Sequence, residues 1–214
     1  PAVAANVTNT VALCPGYFGA TFAQRNDLFK QKSRLWWLLP AGLIGGLAGA
    51  LLLLQSGERL FKGLVPWLIL LASLLLAVGD TLKKFLAKKT EEMVQDRRNN
   101  WLAVVPVGLA AVYGGYFGAG LSVIVLAVLG ISYKDSLTVL NALKQAIALA
   151  ANVAAAIVFA FSGQVHWVTA LIMAVCALAG GTVGGRLAGR INPTLLKWLV
   201  VCIGLCVAII YFIK

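Results

Sequence analysis

Lys144 is the residue whose chemistry most needs explaining. It stands eight residues into the apolar segment 136–162, with apolar residues on both sides. An ionisable side chain at that depth is rare in a membrane span and as a rule faces a cavity or a partner. The plainer alternative is a stem that snorkels to an interface one or two turns away. Asn141 and Asn152 share its broad helical face, and Gln145 lies at the edge of that face. Amides so placed can orient a ligand or simply glue helices together. A second polar cluster, Asn6, Asn9 and Thr10, lies in the first apolar segment, 3–23. The third feature is Gly114-Gly-Tyr-Phe-Gly-Ala-Gly120, four glycines in seven residues within the apolar run 102–131. Glycine costs a helix interior roughly 0.8–1 kcal/mol relative to alanine, so this density needs a reason. Gly114 and Gly118 could serve close helix packing. The sharper expectation is a broken or re-entrant element in which Gly115, Gly118 and Gly120 turn the backbone and free N–H groups of a half-helix. A cation flanked by amides, near freed N–H groups, is a site for an anion.

What is missing narrows the chemistry. No Asp or Glu lies deep in any apolar segment, which argues against a cation carrier. His166, the only histidine, sits in the loop Ser162-Gly-Gln-Val-His-Trp167 with no partner base or nucleophile, so an enzyme is not expected. Cys14, Cys176, Cys202 and Cys206 all lie in apolar segments without metal-ligand spacing, and they read as small hydrophobes. No cofactor or metal is expected.

The elements that must position these residues follow from composition. The chain has 214 residues, 61% hydrophobic and 12% charged, with mean hydropathy +0.91. A soluble domain is about 45–50% apolar and about 25% charged. The apolar stretches are continuous rather than alternating, so the expected fold is all-α, a polytopic helical bundle in a lipid bilayer. The net charge of +11 sits between the apolar segments, where orientation and anionic lipid account for it; nucleic acid is not an expected partner. Further segments run over 38–55, 63–79, 167–185 and 194–213, with Trp36 and Trp37 where an interfacial belt is expected. Residues 80–100 are the only long hydrophilic stretch and read as a cytoplasmic linker between a first repeat, 1–79, and a second, 101–214.

The repeat rests on local matches. Gly45-Gly46-Leu-Ala-Gly49 pairs with Gly180-Gly181-Thr-Val-Gly184 at an offset of 135, and the helix of Asn6 pairs with that of Asn141. The counterpart of Gly114–Gly120 would then precede residue 1, leaving the first repeat incomplete at its N-terminus. Charge counts favour a hairpin path for 102–131. If that run crosses once, the two sides carry 11 and six Lys/Arg; if it returns to its own side, they carry 14 and three. The larger asymmetry obeys the positive-inside tendency and places loops 24–35 and 80–100 in the cytoplasm. Three crossings plus one hairpin per repeat make inverted repeats, a plan that puts a transporter's site near midplane at their interface.

The ordered set Gly114-Gly-Tyr-Phe-Gly-Ala-Gly120, Asn141-Ala-Leu-Lys144, Ser162-Gly-Gln-Val-His-Trp167 and Gly180-Gly-Thr-Val-Gly-Gly-Arg-Leu-Ala188 resembles the second half of the TauE/SafE sulfite exporter family. Asn6-Val-Thr-Asn-Thr-Val-Ala-Leu-Cys-Pro-Gly16 resembles the end of its first half. The resemblance implies a bacterial or archaeal plasma-membrane transporter with two homologous halves, exporting sulfur-containing anions such as sulfite or sulfoacetate. An anion channel and a non-transporting subunit of a membrane complex are the rival readings. No oligomeric state follows from the sequence.

Overall fold

A computed structural model describes residues 1–92, 100–133, 135–188 and 193–213. Among these residues the chain is all helical, in eight helices: α1 (Ala2–Ala23), α2 (Arg25–Phe29), α3 (Lys32–Glu92), α4 (Asn100–Tyr116), α5 (Leu121–Ser132), α6 (Leu137–Ala160), α7 (Trp167–Ala188) and α8 (Pro193–Ile213). Lys32–Gly79 and Leu137–Ala160 are long and apolar enough to cross a membrane. Large apolar side chains face outward on several helices: Ile44, Trp67, Leu74, Val105, Leu109, Leu171 and Ile172 are each more than half exposed. In water that surface would drive aggregation; lipid is the solvent that matches it. The helix of α3 continues to Glu92, so the first part of the hydrophilic stretch 80–100 is helical.

α3 is two helical halves joined at one residue. Gly57, with φ 70° and ψ 171°, is its non-helical position. The chain turns back there, as contacts on either side require. Backbone near Gly49 meets Tyr116 at the end of α4, and Gly120, four residues later, packs against Ala72. A straight helix would separate residues 49 and 72 by about 34 Å. Four residues of chain reach at most about 14 Å.

The core is built on backbone-to-backbone approach along the first half of α3. An added Cβ at Gly46 would stand 2.6 Å from Ala151 Cα of α6, one at Gly45 2.6 Å from Ala111 Cβ of α4, and one at Gly49 2.7 Å from the Tyr116 nitrogen. Glycine is therefore required at these three positions, and small residues allow the close crossings by which helices associate in lipid. Around this seam Leu38, Ala103, Val107, Ala111, Leu121, Val125, Leu129, Leu140, Leu143 and Ile147 form a buried cluster shared by α3, α4, α5 and α6. α1 lies against α6 and α7, and α8 lies against α3. Gly180, matched to Gly45 by the repeat, has open space where a Cβ would go. The side chains of the segment around Gly181 and Gly184 lie outside those described.

Candidate functional site

The glycine-rich run is a helical hairpin. α4 ends at Tyr116 and α5 begins at Leu121. Between them Gly118 (φ 85°) and Gly120 (φ 82°) take left-handed conformations, which glycine adopts without the steric cost other residues meet. Tyr113 closes the turn from inside α4 by donating its hydroxyl to the Ala119 carbonyl at 2.8 Å. Its ring also packs on Phe117. The Leu121 amide reaches the Gly118 carbonyl at 3.4 Å, and those of Val123 and Ile124 reach Gly120.

Both arms open toward one end of the bundle. Residues 108–116 of α4 run beside residues 41–49 of α3 in the same direction, so α4 starts near the beginning of α3. Past the end of α5, Asp135 forms an ion pair with Arg34 in the first turn of α3, and the Arg34 guanidinium lies 4.5 Å from the centroid of the Tyr133 ring. The run therefore leaves and re-enters the same end, and its tip lies among the helices. The ion pair that pins the run had no signal in the spacing, because Arg34 and Asp135 lie 101 residues apart.

The sequence-derived candidates fall into two groups. At the tip, Asn6 of α1 donates its side-chain N–H to the Tyr116 carbonyl at 3.0 Å, which satisfies one of the carbonyls that a helix end leaves without an intrahelical partner. Gly115 packs there against Gly46, and a Cβ on it would stand 2.9 Å from Gly46 Cα. Thr10 is buried and donates to the Asn6 carbonyl one turn back at 3.0 Å, so its hydroxyl supports α1. Asn9 is half-buried beside them.

The second group lies toward the mouth of the hairpin. Lys144 Nζ donates to Asn141 Oδ1 at 2.6 Å, and Asn141 Nδ2 donates to Gln24 Oε1 at 3.1 Å. Gln145 takes part through its backbone carbonyl, which accepts from the Thr21 hydroxyl at 3.2 Å. Ala151 is level with Gly46, and Gly46 with Gly115. Lys144, seven residues before Ala151, is therefore roughly 10 Å from the tip's level along α6. Asn152 lies at the level of the tip, and its Oδ1 is buried with no hydrogen-bond partner among the described residues.

Several positioning residues escaped the reading of the sequence. Gln24 bridges the end of α1 to Asn141. Thr8 accepts from the His166 amide at 3.1 Å, tying the α6–α7 loop to α1. The Tyr116 hydroxyl shares a 3.1 Å hydrogen bond with Ser56 beside the Gly57 reversal. Glu58 accepts from the amides of Ala2 and Val3 and pairs with Lys62 at 3.2 Å. The backbone N–H groups of Val3 and Ala2, with Lys62 beside it, hold the Glu58 carboxyl at about 2, well below the usual carboxylate value.

Taken together, the arrangement is a helix break among apolar helices, half-buried and exposed at Ala119, with one amide on the broken end, one orphaned amide oxygen near its level and a lysine on the way to it. Among the described residues it brings amide, hydroxyl and ammonium groups to one side of the hairpin. The family model described as Sulfite exporter TauE/SafE matches residues 1–211 of the chain. No curated protein and no solved structure matches it.

Proposed function

The chain belongs to the TauE/SafE sulfite exporter family, and on that premise we propose that it is a secondary transporter of the prokaryotic plasma membrane that exports small anions, sulfite or organosulfonates such as sulfoacetate first. The observation that carries this reading is the hairpin tip, where Gly118 and Gly120 open the backbone at the start of α5 inside the bundle. A half-helix N-terminus carries roughly half a unit of positive charge, which suits an oxyanion, although the Leu121, Val123 and Ile124 amides at the start of α5 are already bonded within the turn.

The roles follow the two groups. Gly115 lets α4 approach α3, and Gly118 and Gly120 shape the tip. Asn152, whose amide can turn its N–H2 inward, and Asn9 orient the anion, while Asn6 and Thr10 hold the broken helix end. Lys144, kept in place by Asn141 with Gln145 beside it, supplies the positive charge on the cytoplasmic approach to the tip. The anion is drawn to Lys144 and passed about 10 Å along α6 to the tip. A site between two inverted repeats, with loops 24–35 and 80–100 in the cytoplasm, is part of the same proposal.

Efflux of sulfite and of sulfoacetate from proteoliposomes, with and without a pH gradient, tests it. Saturable, anion-selective flux that falls at least tenfold in Lys144→Ala, with the variant's unfolding temperature unchanged, is the expected result. Absence of flux for either anion would overturn the transporter reading. Flux in Lys144→Ala equal to wild type would remove Lys144 from the pathway. Conductance far above carrier turnover would mark a channel.

A further inference from the structure

Away from the hairpin tip, a groove of about 360 Å³ opens on the outer surface where α1, α2, the start of α3 and α6 meet. Its walls are apolar: Phe18, Phe22, Phe29 and Leu149 line it, and Arg25 and Lys32 stand with them. The three phenylalanines are each more than half exposed. The shape comes from the short helix α2, which is anchored by Leu28 against Ala142 and Ala146 of α6. The one side-chain hydroxyl facing the groove, on Thr21, is already donated to the Gln145 carbonyl. The walls therefore offer little to a polar solute.

The rim has the opposite character. The Arg25 guanidinium lies 4.4 Å from the Phe22 ring centroid, and Lys32 Nζ lies 5.5 Å from that of Phe29. The aromatic rings thus hold both cations at the groove while leaving them exposed. Lys30, by contrast, has Asp27 at 3.9 Å. Among the described residues, neither Arg25 nor Lys32 has a carboxylate partner. The height in the membrane is marked by Trp36 and Trp37, both exposed one turn further on, since tryptophan concentrates at the headgroup level.

We propose that this groove is a binding site for an anionic phospholipid, with its phosphate between Arg25 and Lys32 and an acyl chain laid over Phe18, Phe22 and Leu149. Charge complementarity selects the occupant. A zwitterionic lipid would fill the walls equally well but would bring its own cation to a rim that already has two. A free oxyanion would meet the two cations with no polar wall behind it. The proposal rests on the chain being embedded in lipid and not on what it transports.

Native mass spectrometry of delipidated, detergent-solubilised protein tests it. The probes are phosphatidylglycerol and phosphatidylcholine of identical acyl chains. Two cations near an anionic headgroup, about fivefold each, predict a preference for phosphatidylglycerol of roughly 25-fold. The double variant Arg25→Gln/Lys32→Gln is expected to lower that preference to near unity, whereas Arg59→Gln, at the Gly57 turn, leaves it unchanged. Equal retention of both lipids by the wild-type chain would overturn the proposal without any variant. A preference that survives in the double variant would overturn it too. Flux plays no part in the readout, so failure here leaves the transport reading standing.

Discussion

An alanine methyl at position 115 would stand 2.9 Å from Gly46 Cα, where carbon atoms normally rest about 3.5–4.0 Å apart. The Gly46 carbonyl oxygen would stand closer still, so α4 and α3 would have to separate by roughly 1 Å. Gly46 has little room to move away, because a Cβ built on it would itself stand 2.6 Å from Ala151 Cα of α6. The strain therefore spreads to α6. Overpacking of this kind costs about 1–3 kcal/mol, and it is offset by the roughly 0.8–1 kcal/mol that alanine returns to any helix interior. Gly180→Ala isolates the packing cost, since it gains the same helix preference with nothing within 4 Å of the new methyl. For a chain of this size 1 kcal/mol moves the midpoint by about 2–4 °C. Gly115→Ala is thus expected to unfold about 2–12 °C below Gly180→Ala when both are heated in the same detergent at the same rate. Midpoints within 1 °C of each other would refute the backbone contact between α3 and α4, and with it the hairpin's placement against Gly46.

Two further perturbations probe the ends of the bundle. The Glu58 carboxyl is held at about 2, below its ordinary 4.5, by the amides of Val3 and Ala2 and by Lys62. A depressed carboxylate adds stability that is present above pH 4.5 and lost as the pH falls toward 2. Wild-type protein should therefore lose midpoint temperature over that window more steeply than Glu58→Gln, and parallel curves would discount the cap on α1. At the other end, Arg34→Gln removes the partner of Asp135, a pair whose side chains are 25% and 23% exposed. A loss of about 1–3 kcal/mol is expected. The exchanged pair Arg34→Asp/Asp135→Arg should recover part of it, less what the Tyr133 ring contributes; an unshifted midpoint in Arg34→Gln would show that the pair does not pin the hairpin.

The architecture was legible where composition and glycine density spoke directly. Continuous apolar segments gave helices, and Gly114–Gly120 gave a break at the position where α4 ends and α5 begins. Gly45, Gly46 and Gly49 gave a close crossing, although sequence could not say that α4 lies on one side and α6 on the other. Gly180, which the repeat aligns with Gly45, has nothing near its Cβ position among the described residues. Pattern matching compares residue types, whereas packing depends on what stands opposite. Asn6, Lys144 and the glycines stand out in the sequence because all are unusual in apolar segments. Their separation into a tip group and a Lys144 group depends on the axial register of α1, α4 and α6, which hydrophobic periodicity does not carry. Gln24, at the junction of α1 and α2, bonds Asn141 across 117 residues; only the folded chain brings such a pair together.

The reversal of α3 at Gly57 leaves no slack. A loop of several residues lets two neighbouring spans slide or tilt independently; a single non-helical residue couples them as tightly as a shared axle. The first half of α3 grips α4 through Gly45, Gly46 and Gly49, and the second half touches the tip through Ala72 beside Gly120. The hairpin is thus clasped at two points by one stiff unit, and the two cannot part without unmaking the clasp. Any displacement that opens a path past the tip must then be taken up at the boundary with α1, which meets the clasped unit through side chains and single hydrogen bonds such as that from Asn6 to Tyr116.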